Sequence, residues 1–139
     1  MFMRCSCFLL IGVLAFTSCA PGKSATSDKV RSELRSALSL TSETDLFIGQ
    51  IESGRLLSQF RIAYADYLRG EATRQAKDAQ NAQENSGGSD KAALCVEQLE
   101  LLERELTSIR IQTDSKTLGE ARRQVQTIRK RLIDAGAGR

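Results

Sequence analysis

Cysteine carries most of the chemistry that this sequence offers. The chain contains four cysteines and no histidine. Three of them, Cys5, Cys7 and Cys19, lie near the N-terminus, and Cys95 stands alone in the rest of the chain. Without histidine, the sequence lacks the commonest metal ligand and general base, and no Ser/His or Cys/His pair can activate a nucleophile. We therefore expect no catalytic residues, no metal site, no cofactor and no enzymatic activity.

The residues around Cys19 suggest a covalent modification. A single arginine, Arg4, precedes an apolar stretch at 8–16, and small residues then lead to Cys19. This is the order of the charged, apolar and cleavage regions of a secretory signal. The run Leu14-Ala15-Phe16-Thr17-Ser18-Cys19-Ala20 resembles the lipobox of bacterial lipoprotein precursors, and the resemblance covers residues 1–19 only. It implies that residues 1–18 are removed and that Cys19 carries lipid.

The lipoprotein resemblance also implies a location. The mature chain would be anchored by its N-terminal lipid to the bacterial envelope. Alanine rather than aspartate after Cys19 implies sorting to the outer membrane, facing the periplasm. Ordinary cleavage after Ala20 is a rival, although Pro21 would follow the cut unfavourably. An uncleaved anchor is a second rival, but the apolar run is shorter than the roughly 20 residues that a membrane-spanning helix needs.

The remaining sequence predicts an all-α domain. Leu, Ile, Val and Ala dominate the apolar positions, alternating β-branched runs are missing, and the only proline is Pro21. We expect a lipidated Cys19 with a flexible tether at 19–27, a helical domain at 28–135 and a frayed tail at 136–139. The domain should be an elongated antiparallel bundle of about four helices.

The C-terminal part predicts a helical hairpin. Two apolar seams alternate three- and four-residue steps, which is the spacing of packed helices. If the two helices are antiparallel, the seams match without a slip in register, and the turn falls at 112–116. Cys95 lies on the first seam, so we expect a buried, inert thiol rather than a reactive one or a link between two copies. The seam residues are Ala92, Cys95, Leu99, Leu102, Leu106 and Ile109, then Leu118, Ala121, Val125, Ile128, Leu132 and Ala135.

The N-terminal part predicts two further helices. The first should run from 28 to about 40, and Ser42 with Asp45 indicates a new start by a capping box. In the long helix that follows, one stripe of large residues should form the centre of the core. The alanine-rich part after Leu68 should be an exposed extension that ends at the loop 85–89. The stripe consists of Leu57, Phe60, Tyr64 and Tyr67.

Charge gives weaker indications. A net charge of +3 is too small to indicate nucleic acid as a partner. Glu103 is expected to pair with Arg122 or Arg129 across the hairpin. The last helix carries a candidate basic patch for phosphate-rich headgroups or an acidic partner, with a solvated face as the simpler reading. The candidate patch consists of Arg122, Arg123, Arg129, Lys130 and Arg131.

Apolar residues in the N-terminal half exceed what one hairpin can obviously cover. Leu46, Phe47 and Ile48 are therefore candidates for an exposed partner-binding face, unless they complete the core. A groove around Phe47, Phe60, Tyr64 and Tyr67 could instead bind a lipid or another small amphiphile. The sequence thus favours a membrane-anchored, non-catalytic adaptor or assembly accessory, which holds an envelope protein or a second copy of itself. The alternative is a periplasmic lipid-binding or amphiphile-binding protein.

Overall fold

A computed structural model describes residues 23–138. It contains four α-helices: α1 (Lys23–Glu52), α2 (Ser58–Asn85), α3 (Asp90–Ile111) and α4 (Ser115–Leu132). A short segment, Ile133–Ala137, continues from α4 and is interrupted at Gly136, whose φ is 110°. Within the described range there is no β-strand. The expected all-α bundle of four helices is confirmed.

Consecutive helices run antiparallel, and α4 returns to α1 to close the bundle. Ion pairs fix the alignment at one end. The start of α2 meets the end of α3 through Asp66 and Arg110, whose Oδ1 and Nε atoms are 2.8 Å apart. The start of α4 meets the end of α1 through Arg122, which lies 3.3 Å from a carboxylate oxygen of Asp45. This end, with the loops 53–57 and 112–114, is called the distal end, because it lies opposite Lys23.

The predicted hairpin of α3 and α4 forms one wall of the core. All of the predicted seam residues are buried except Ala135, which is half-buried. Leu102, Leu106 and Leu132 have no exposed surface. Both seams step by three and four residues, so each helix turns one buried stripe toward the bundle core. The predicted burial of the two seams is confirmed.

The packing of α2 is the reverse of what the sequence predicted. Its most extensive contact is with α3, and the face that makes the core is formed mainly by small residues. The residues are Ala65, Leu68, Ala72, Ala79 and Ala82. Alanine at these positions lets two helix backbones approach closely. The prediction that the alanine-rich part is an exposed extension is wrong.

The first helix is also longer than predicted. No helix break occurs near Ser42, because the hydroxyls of this segment bond back to carbonyls of their own helix rather than capping a new one. Thr41 donates to the Ala37 carbonyl at 2.7 Å, and Thr44 donates to the Leu40 carbonyl at 2.9 Å. The chain turns instead at 53–57, where Gly54 adopts a φ of 66°, a left-handed conformation that favours glycine.

The predicted domain boundaries shift slightly. Residues 23–27 of the predicted tether are helical, and Ala137 of the predicted tail is buried. The predicted signal at 1–18 and the lipidation site Cys19 lie outside the described residues, as does Arg139. Within residues 23–138, no helix is both long enough and apolar enough to cross a membrane.

Candidate functional site: an exposed aromatic ridge at the distal end

Large apolar residues with exposed side chains concentrate at the distal end of the bundle. They lie on the α1–α2 loop, on the first three turns of α2, near the end of α1 and at the end of α3. In the described part of the chain these residues are Leu46, Leu57, Phe60, Ile62, Tyr64, Tyr67 and Ile111, and only Ile133 lies at the other end. Single exposed apolar residues are ordinary, but a contiguous group is a mark of an interaction surface.

Four of these residues form one continuous feature, which we call the aromatic ridge: Leu57, Phe60, Tyr64 and Tyr67. Their side chains are 68%, 65%, 38% and 55% exposed, respectively. Steps of three and four residues place them on one face of α2, beginning at the residue that precedes its first turn. The core face of α2 is taken by alanines and Leu68, so the ridge is left on the outside. The prediction that this stripe forms the centre of the core is wrong.

Tyr64 fixes the ridge to α1. Its ring meets the ring of Phe47 edge to face, with centroids 5.1 Å apart, and stacks on Tyr67 at 5.8 Å. The Tyr64 hydroxyl donates a hydrogen bond to the carboxylate of Glu43. This hydrogen bond, together with partial burial, raises the pKa of Tyr64 to about 12. The ring is therefore held in place from two sides and stays neutral at physiological pH.

The structure separates the three predicted partner-binding residues of α1. Phe47 and Ile48 are 1% and 0% exposed and belong to the core, whereas Leu46 is 69% exposed. The expectation of one exposed face is wrong for Phe47 and Ile48. Because α1 is one uninterrupted helix, both side chains lie on its core-facing side. Phe47 acts beneath the surface, as the support for Tyr64.

Charged residues border the ridge along α2. Two turns beyond Tyr67, Arg74 is bracketed by Glu71 at 2.7 Å and Asp78 at 3.1 Å. The Arg74 guanidinium lowers the pKa of Glu71. On the other flank, Asp66 pairs with Arg69 at 3.4 Å as well as with Arg110. These surface pairs give the apolar ridge a polar rim, which is the usual anatomy of an interface.

No family model, curated protein or solved structure matches this chain. The site is therefore argued from its own residues. Sequence reasoning picked out the four ridge residues by their spacing but assigned them to the interior. The signal that separates the two faces of α2 is the parallel stripe of alanines, which runs at the same three- and four-residue steps.

The basic residues of α4 do not form a single patch. At 3.6 residues per turn, Arg122 and Arg131 lie on opposite flanks of the helix. Arg122 contacts Asp45 and Glu52 of α1 rather than Glu103, and Arg131 lies 3.8 Å from Glu97 of α3. Both act as links to neighbouring helices.

Of the three remaining basic residues, Lys130 pairs with Asp134 at 3.2 Å along the same helix. Arg123 and Arg129 are exposed and have no ion pair with any described residue. Because two of the five cations face neighbouring helices, the expectation of a five-residue basic surface is wrong.

The remaining thiol is in the core. Cys95 is fully buried on the seam of α3 and makes no disulfide. Burial raises the pKa of its thiol to about 12, with a smaller contribution from the carboxylate of Glu33. The prediction of a buried cysteine is confirmed, and a thiol with this pKa is a poor nucleophile at neutral pH.

Proposed function

We propose that this chain is a membrane-anchored, non-catalytic helical lipoprotein of the cell envelope, which acts as an adaptor or assembly accessory. The lipid on Cys19 holds it to the outer membrane on the periplasmic side, and the aromatic ridge holds a protein partner. The observation that carries the proposal is the ridge itself, since four large apolar side chains stay exposed on a helix whose core face is already filled.

The position of the ridge supports an adaptor. The lipidation site precedes α1, and α1 is 30 residues long. At 1.5 Å per residue this helix spans about 45 Å. The ridge lies at the far end of α1 from Lys23, which is the described residue nearest in sequence to Cys19. A surface used for membrane contact would be expected beside the anchor.

The shape of the ridge favours an apolar groove on a partner protein. Leu57, Phe60, Tyr64 and Tyr67 project from one helix face at the spacing with which amphipathic helices fill grooves. Tyrosine is enriched at the energetic centres of interfaces.

Photo-cross-linking in cells tests the adaptor role. A photoreactive phenylalanine analogue replaces Phe60 in the full-length chain, and a second strain carries it in place of Arg123, an exposed position on α4. We expect one dominant envelope protein attached at position 60 and not at position 123. Adducts of equal yield at both positions would contradict the proposal, and self-adducts alone would replace the partner with a second copy.

The anchor is tested separately. Metabolic labelling with a palmitate analogue should mark the full-length chain and place it in the outer-membrane fraction. Cys19→Ser should abolish the label and release the protein, whereas Cys95→Ser should do neither, because that thiol is buried. Labelling of Cys19→Ser to the parental level would overturn the lipoprotein assignment without affecting the ridge.

A further inference from the structure

The bundle has a cavity at the end opposite the ridge. The start of α1, the α2–α3 loop, the first residues of α3 and the segment after α4 line a half-open cavity of about 640 Å³. This lies within the roughly 300–1,000 Å³ of ordinary small-molecule sites. The cavity is close to the start of α1 and therefore on the side of the proposed lipid anchor.

The lining of the cavity is amphipathic. Val30 and Leu34, two core residues of α1 that are 5% and 2% exposed, form an apolar floor beneath it. Hydroxyl groups come from the loop, including Ser89, whose side chain makes no capping hydrogen bond to α3. A ligand with both an aliphatic and a polar part would match such a lining, whereas a purely apolar one would leave the hydroxyls unpaired.

The charge of the lining has one sign. Arg31 of α1 and Lys91 of α3 both line the cavity, and no carboxylate does so among the described lining residues. Neither cation forms an ion pair with any described residue, in contrast to Arg74 and Arg122, which do. The Lys91 side chain reaches from α3 to the segment after α4. Its Nζ lies close to Gly136, 3.7 Å from where a Cβ atom would stand on that glycine.

We propose that this cavity binds a single-chain anionic amphiphile, with its aliphatic chain against Val30 and Leu34 and its carboxylate or phosphate head between Arg31 and Lys91. Two exposed cations that line the same cavity, one from α1 and one from α3, suit one anionic head, since charge-assisted hydrogen bonds to such a group are the strong ones. The site is independent of the ridge, and either proposal can fail without the other.

The test uses the full-length chain in nanodiscs of phosphatidylcholine, which carries no net charge. The probe is a medium-chain fatty acid with a terminal diazirine, and mass spectrometry locates the labelled peptide. We expect labelling within residues 26–34. In the double variant Arg31→Gln and Lys91→Gln, labelling should fall at least about tenfold, equivalent to about 1.4 kcal/mol. The matched control is Arg123→Gln, which removes an exposed cation elsewhere and should keep full labelling.

Two further probes separate the parts of the proposal. The corresponding fatty alcohol carries the same diazirine without the charge and should label residues 26–34 at least about tenfold less. Equal labelling by acid and alcohol, or labelling unchanged in the double variant, would overturn the anion site. Inorganic phosphate should not displace the fatty acid at equal concentration. If phosphate displaces the fatty acid, or if only phosphate binds, the proposal that the ligand is an amphiphile is wrong.

Discussion

In α3 and α4 the largest apolar side chains face the core, whereas in α2 the smallest ones do. The α3 seam buries three leucines and an isoleucine, and the α2 seam buries four alanines and Leu68. Both kinds of seam step by three and four residues, so both are helix-packing surfaces. The two differ because the large apolar residues of α2 lie on its outer face, where they form the aromatic ridge.

This comparison distinguishes residues whose burial stabilises the fold from exposed residues that contribute little to the free energy of unfolding. Exposed side chains contribute little to the free energy of unfolding, because they lose little contact with water on folding. A helix that packs through alanine and carries Phe60 and Tyr67 outside gains little stability from those aromatics. Their presence is better explained by binding, and the substitutions below test that division from the largest expected effect to the smallest.

Leu102→Ala should have the largest effect. Leu102 has no exposed surface and lies in the middle of the α3 seam. Deleting a fully buried leucine side chain costs about 2–5 kcal/mol, from lost burial and the cavity left behind. Chemical denaturation followed by circular dichroism measures the change, with Leu46→Ala, on an exposed position of α1, as the control. Equal losses in the two variants would mean that burial does not distinguish them.

Ala79→Leu should show that the α2 seam depends on small residues. Ala79 has no exposed surface, and a leucine there would push α2 away from its neighbours. Overpacking of this kind costs about 1–3 kcal/mol. Gln80→Leu adds the same side chain at the adjacent exposed position and should leave the free energy of unfolding within about 0.5 kcal/mol. If Ala79→Leu stabilises the protein, the close-approach account of α2 is wrong.

The two seams also explain what could be predicted from sequence. On α3 and α4, large aliphatic residues occupy most of the three- and four-residue steps, and polar residues occupy most of the other positions, so one pattern dominates. On α2 two such patterns coexist, one large and one small. Hydrophobicity alone ranks the large stripe as the core. Which stripe faces the core depends on the partner helix. Because α2 packs extensively against α3, the small side chains fit between the two helices better than a row of aromatic rings would.

The α1 prediction failed for a local reason. Ser42 with Asp45 has the spacing of a capping box, but the same hydroxyl can accept a helix N–H or donate to a carbonyl one turn earlier. In the structure it donates to the Leu38 carbonyl at 2.9 Å. The choice depends on whether the helix continues, and that is set by packing on both sides of Ser42. The burial of Phe47 and Ile48 follows from the same continuity.

Tyr64→Phe should have a smaller effect, on the contact that joins the ridge to α1. Loss of its hydrogen bond to Glu43 should cost about 1 kcal/mol or less at neutral pH, since the pair is open to solvent. The folded-state pKa of about 12 lies above the ordinary value of 10.0. The stabilisation is therefore complete below pH 10 and lost as the pH rises toward 12.

The measurement is the free energy of unfolding of parent and variant across that alkaline range. The difference between them should shrink from pH 10 to pH 12, because the parent alone loses the pair. Tyr67→Phe, which keeps the Glu43 hydrogen bond, serves as the matched control and should run parallel to the parent. A constant difference between Tyr64→Phe and the parent would argue against the Tyr64–Glu43 pair.

Phe60→Ser should have the smallest effect on stability and the sharpest effect on function. Phe60 is 65% exposed in the first turn of α2, and serine has a similar helix propensity. The free energy of unfolding should stay within about 0.5 kcal/mol of the parent. Capture of the partner should fall at least about tenfold, measured by cross-linking from a photoreactive group at position 67. A loss of stability as large as that of Leu102→Ala would place Phe60 in the core, and the contrast between α2 and the hairpin would no longer hold. If the Phe60→Ser protein is stable and still captures the partner at the parental level, the fold assignment holds but the ridge is not the binding surface.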